Sequence, residues 1–172
     1  MGTVSRFEAD VARWAMGILP DGRLADAALR AVEDGVESTW LAALAGEPAD
    51  GNAFVARDLF TRGLKELGLA KPTAHTALVI ILRWWLQEIA NRQDSVMDAL
   101  GGLMEEVYYP AQDLGFLDKA FAGDALGIEK LVGVYWSLRD GIEEGCLTPE
   151  DQAALIKEAT CEAATRAFHL GA

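Results

Sequence analysis

Residues 73–92 read TAHTALVIILRWWLQEIANR, and this stretch decides the fold. Pro72 suits a helix entrance and Thr73 can cap it, because its hydroxyl can accept from a first-turn N–H. No Gly or Pro follows until Gly101. Ala77, Leu78, Val79, Ile81, Leu82, Trp84, Trp85, Leu86, Ile89 and Ala90 then cover most of a helical circumference. Polar side chains keep to a narrow stripe of Thr76, Arg83, Gln87 and Asn91, flanked by Glu88 and Arg92. A helix apolar nearly all round is a buried one. A membrane span needs about 20 largely uncharged residues, and here the apolar run Ala77–Leu82 stops at Arg83. The spacing predicts a core helix over about 73–92, covered by the rest of the chain.

Working outward, the flanking segments supply amphipathic helices. Val4, Phe7, Val11, Trp14, Ala15 and Ile18 follow a 3-4 spacing that Pro20 stops. Leu24 to Val32 gives a second helix, with Asp26 and Arg30 placed to pair at i,i+4. A short third one holds Val36, Trp40, Leu41 and Leu44. A fourth runs from about Ala53 to Leu67, with Val55, Leu59, Phe60, Leu64 and Leu67 inward, Asp58, Arg62 and Glu66 outward, and Gly68 as C-cap.

Beyond the core helix, Asp94 or Ser95 caps a helix reaching about Val107, which Gly101 and Gly102 weaken. Pro110 is expected to end it near Tyr109. Phe116–Phe121 has room for one or two turns. Ile128, Leu131, Val132, Tyr135, Leu138 and Ile142 mark a helix over about 125–143. Thr148-Pro149-Glu150-Asp151 opens the last one, whose Glu162 and Arg166 can pair. No segment alternates as a strand. The expected fold is all-α: a single compact bundle-like domain, residues 1–172, of seven to nine helices around the buried helix.

At 51% apolar and 24% charged residues the chain is an ordinary globular one. Its N-terminus has no apolar signal segment. Cys146 and Cys161 lie in no metal or redox spacing, so free thiols and a cytoplasmic location are expected. Net charge is −12, unevenly spread: residues 1–92 carry −2 and residues 93–172 carry −10. Nucleic acid and anionic membrane surfaces would be repelled by that second half, whereas a basic protein surface would be attracted.

Motifs for catalysis are sparse. Phosphate-loop and nucleophile-elbow patterns are missing. His75 and His169 are the only histidines, one in a first helical turn and one near the chain end. Asp94 and Asp98 at i,i+4 could share one helix face and hold a divalent ion, which defines a metal-assisted enzyme as one alternative. Glu105-Glu106 and Glu143-Glu144 are adjacent, so each pair diverges around its helix and ligates poorly. No cofactor is expected.

The segment Glu105–Asp113, EEVYYPAQD, carries more than core: Glu105, Glu106 and Asp113 surround Tyr108 and Tyr109 at a proline. Tyrosine offers rigid contact area with a polar tip, as interface anchors do. The expected function is therefore a non-catalytic, cytoplasmic interaction module of immunity, inhibitor or adaptor type. Its partner would be a basic protein surface or a second copy of the chain. A further alternative is a small-molecule pocket between helices near Arg83 and Gln87, with Trp84 and Trp136 as lining.

Overall fold

A computed structural model of the chain describes residues 3–48, 51–92, 95–115 and 126–171. The all-α expectation holds: no strand occurs among the described residues. The α-helices are α1 Arg6–Met16, α2 Leu24–Glu33, α3 Thr39–Ala45, α4 Ala53–Glu66, α5 Ala74–Asn91, α6 Val96–Leu103, α7 Tyr109–Asp113, α8 Glu129–Glu143 and α9 Pro149–Gly171. Asp94 and the turns expected over Phe116–Phe121 lie outside the described residues, as does the expected start of α8 at residue 125. The helices fall into two compact units, Val4–Ile80 and the chain from Ile81 onward, and the division lies inside α5.

Helix α5 matches its expected bounds closely. Thr73 caps it, its hydroxyl accepting from the Thr76 N–H at 3.2 Å. No residue from 77 to 90 is exposed, and Ala77, Leu78, Ile81, Leu82, Leu86 and Ile89 are fully covered. Burial of each such Leu or Ile contributes roughly 1.5–3 kcal/mol.

In the N-terminal unit, α2 packs on α3 and α3 on α4. Phe7, Trp14, Leu24, Leu41, Leu44 and Phe60 form the centre of its core. Phe60 meets the rings of Phe7 and Trp14 edge-on, at 6.1 and 5.2 Å between centroids. Close approach of α3 to α4 depends on Gly63, where a Cβ would stand 2.8 Å from the Leu41 side chain. That contact sets which side of α4 faces inward. The buried side is Ala56, Phe60, Gly63 and Leu64, so Val55, expected inward, is instead exposed.

A buried ion pair ties α1 to α2. Asp10, only 4% exposed, accepts from Arg30 at 2.8 Å and from Arg13 at 3.3 Å. Arg30 thus reaches across to α1 rather than along its own helix, and Asp26 bonds Arg23 at 2.6 Å. A partner with a low-dielectric surrounding outbids an exposed i,i+4 neighbour, because water screens the latter.

In the C-terminal unit, α8 packs on α9 and on α6, and α9 also meets α6. Ala159 and Ala163 are the buried small residues of α9. Thr148 caps α9 as expected: its hydroxyl accepts from the Asp151 N–H at 3.1 Å and donates to that residue's carboxylate at 2.8 Å. The Glu162–Arg166 pair also forms, at 3.4 Å.

Pro110 does not end the helix, contrary to expectation. Residues Met104–Tyr108 form a π-helical segment that joins α6 to α7. The Tyr109 N–H donates to the Met104 carbonyl, five residues back. In an α-helix the proline ring would strike the carbonyl four residues before it. Widening the preceding turn by one residue gives the ring room, and the chain stays helical to Asp113.

Two mid-helix glycines have opposite causes. At Gly102 a Cβ would lie 2.3 Å from the Trp85 indole, so the bare backbone is the seat of that ring. Gly133 on α8 is exposed, with nothing within 4 Å of a Cβ. Gly102→Ala should therefore destabilise the protein by about 1–3 kcal/mol through overpacking. Gly133→Ala should stabilise it by up to about 1 kcal/mol through helix propensity. Denaturant midpoints of the two variants measure both; a neutral Gly102→Ala would refute the seat.

Candidate functional site

The π-helical segment sorts the acidic, tyrosine-bearing stretch into two sets. Glu106 is half-buried and its carboxylate accepts from the Trp85 indole N–H at 2.8 Å. Tyr108 turns inward and is 7% exposed. Glu105, Tyr109 and Asp113 face solvent, with Tyr109 at 40% and Leu114 beyond it at 46%. The Tyr108 and Tyr109 rings meet edge-on at 5.3 Å, so the exposed ring is braced by the buried one. Of the five residues expected in an interface, three therefore line the surface and two hold it from beneath.

Trp136, the other aromatic side chain of interest in this unit, lies partly open to solvent. It is 36% exposed on α8, and Arg139 lies over its ring at 5.4 Å while bonding Glu143 at 3.2 Å. Gly133, Asp140 and Ile142 are exposed on the same helix.

Arg83, Trp84 and Gln87 are all half-buried in α5. Asp98 is exposed on α6 and its expected partner Asp94 is not among the described residues. Among those residues, no group of three or more His, Cys, Asp or Glu side chains is placed to hold a metal ion. Cys146 and Cys161 are free and exposed.

One feature is invisible in the sequence because its parts are far apart along it. In the N-terminal unit a cleft of about 700 Å³ opens between the end of α1, the turn at Leu19–Asp21, α4 and Lys71. Asp21 sits in its wall. The Trp14 indole N–H donates to one carboxylate oxygen at 2.9 Å, and Arg57 binds the other, Nε at 2.8 Å. Lys71 places its ammonium over the Trp14 ring, 4.6 Å from the centroid. A second groove of about 370 Å³ adjoins on the Leu64–Lys71 side, sharing Trp14, Thr61 and Lys71 with the first. Asp21-Gly22 reads locally as a turn and Trp14 as core, so no spacing rule joins them to Arg57 and Lys71.

Two carboxylates in this unit are held below their ordinary range. The Arg57 hydrogen bond is the main cause at Asp21, with the Trp14 N–H adding to it against some desolvation. At Glu66 the main cause is the Ser38 hydroxyl, which donates to it at 2.5 Å while capping α3 by accepting from the Leu41 N–H, and hydrogen bonds from Thr39 and the Trp40 N–H add to it.

No protein-family model matches the chain, and no characterised protein or solved structure matches it either.

A depressed folded-state pKa adds stability above the ordinary carboxylate value of about 4, where the unfolded chain would also be ionised. That stability is lost as pH falls through the depressed value, because protonation then favours the unfolded chain. Asp21→Asn and Glu66→Gln should accordingly unfold earlier than the parent protein at pH 7. Their deficits should shrink below about pH 4. Thermal midpoints from pH 7 down to pH 2.5 test this; a deficit constant across that range would contradict the two hydrogen-bonded carboxylates.

Proposed function

We propose that this protein is a non-catalytic interaction module that binds a basic protein surface through its C-terminal unit. The observation that carries the reading is Tyr109. It is exposed between two exposed acids, Glu105 and Asp113, while its neighbours Glu106 and Tyr108 are committed to packing. A rigid aromatic ring within a ring of charge combines the two parts of a protein-binding anchor: apolar contact area and long-range attraction.

The charge supports the same reading. Residues 93–172 carry −10 of the chain's −12. Such a field accelerates encounter with a cationic partner and disfavours nucleic acid. Trp136, also exposed, adds a second aromatic surface, with Arg139 over its ring and bonded in turn to Glu143. Function of this type needs no catalytic group, and the role suits an immunity, inhibitor or adaptor protein acting in the cytoplasm.

The test is kinetic. With a partner captured from native cells, the association rate should fall steeply as salt rises from 50 to 500 mM, since a Debye length shrinks from about 14 Å to about 4 Å over that span. Tyr109→Ala should weaken affinity by about 30-fold or more with little change in association rate, as loss of an anchor acts on dissociation. A salt-independent association rate, or unchanged affinity in Tyr109→Ala, would refute the proposal. A homodimer by light scattering, with Tyr109 at its interface, would replace the basic partner by a second copy.

A further inference from the structure

The geometry points to a binding site in the N-terminal unit for a small amphipathic organic anion, seated around Trp14 with its charged head between Arg57 and Lys71. Every residue that lines it belongs to the N-terminal unit.

Charge is the first argument. In a chain of net charge −12, the two adjoining clefts are lined by three cations, Arg57, Lys65 and Lys71, against one acid. That acid, Asp21, is already engaged by Arg57 and by the Trp14 N–H. Lys71 rests on an aromatic ring, whose face balances an ammonium only in part, and the carboxylate that attracts it, Asp21, is shared with Arg57. The locus is net positive, and an oxyanion placed there would gain a charge-assisted contact from Lys71.

Shape is the second. The larger cleft holds the polar groups Asp21, Arg57, Thr61 and Lys71. The adjoining groove is walled by Leu64, Gly68, Leu69 and Ala70, and Leu69 is 42% exposed there. Lys71 stands where the two meet. An acid head on one side and an apolar body on the other would use both, which neither a bare inorganic ion nor a neutral hydrocarbon does.

The third argument is how Lys71 is held. It lies on the short connection between α4 and α5. Gly68 there takes a left-handed turn at φ +69°, and the Leu69 N–H closes back on the Leu64 carbonyl at 2.8 Å. Pro72 follows directly and restricts Lys71 to an extended backbone. The connection is thus anchored at both ends, while the lysine side chain itself is exposed and can lift from the indole to meet a head group.

The probes are naphthalene-1-acetate and 1-naphthyl phosphate, with sodium acetate, inorganic phosphate and 1-naphthylmethanol as half-molecules. The indole N–H resonance of Trp14, identified by its loss in Trp14→Phe, reports binding through its bond to Asp21. Both naphthyl anions should shift it saturably at millimolar concentration. Each half-molecule should shift it far less. A stronger response to the phosphate than to the acetate would identify a phosphate head, and the reverse a carboxylate. Lys71→Gln should weaken binding by about tenfold or more, and Lys71→Arg should restore most of it; unchanged thermal midpoints show that both variants fold. No shift with either anion, equal affinity for 1-naphthylmethanol, or an unaltered affinity in Lys71→Gln would overturn the site.

Discussion

A helix that is apolar on nearly every side cannot stand alone in water, and α5 imposes that constraint on the whole chain. Fourteen consecutive residues, 77 to 90, leave none exposed. Two of them are tryptophans, whose bulk must be matched by something small. Trp85 finds it at Gly102, and its N–H, which could not be left unpaired at that depth, meets Glu106. One ring thereby determines a glycine on α6 and the inward turn of an acid on the next segment. The polar members of α5 follow the same logic. Arg83 and Gln87 remain half-buried on the narrow polar stripe instead of forming a separate charged face.

The N-terminal unit meets a related constraint by different means. Its helices are short, and a short helix gains little from its own hydrogen bonds. Side-chain bonds at helix ends and across helices compensate. Ser5 and Glu8 form a reciprocal cap on α1. Ser38 caps α3 and is itself gripped by Glu66 from α4. Asp10 joins α1 to α2 through Arg30. Each bond links elements that the aromatic cluster around Phe60 also holds, so polar and apolar terms fix the same arrangement.

How much of this could be read in advance depended on the range of the interaction. Local signals were legible. Thr73 and Thr148 cap the helices that the sequence marks for them, Gly68 takes the left-handed turn one residue past Leu67, the C-cap of α4, and the apolar period of α5 gives its bounds to within a residue or two. Rotational phase was less so. Val55 and Ala56 differ by one step around α4, and the tertiary contacts of Gly63 with Leu41 and of Phe60 with Phe7 and Trp14 turn Ala56 inward. Proline rules failed at Pro110 because they describe an α-helix, and the turn before it is not one. The Glu105–Asp113 stretch was recognisable as unusual, but its division into surface and support was not. The Trp14 cleft was illegible, since Trp14, Asp21, Arg57 and Lys71 span 58 positions and none carries a local signature.

The π-helical turn has an implication for how this surface varies over time. An extra residue in a helix advances every later side chain by about 100°. Tyr109, Asp113 and Leu114 look outward because Met104–Tyr108 holds five residues where an α-helical turn holds fewer. Removing one residue there would leave composition and net charge almost untouched, yet would bring a different set of side chains to the outside. Insertion and deletion, more than substitution, are thus the changes by which lineages of this chain could exchange one outward face for another.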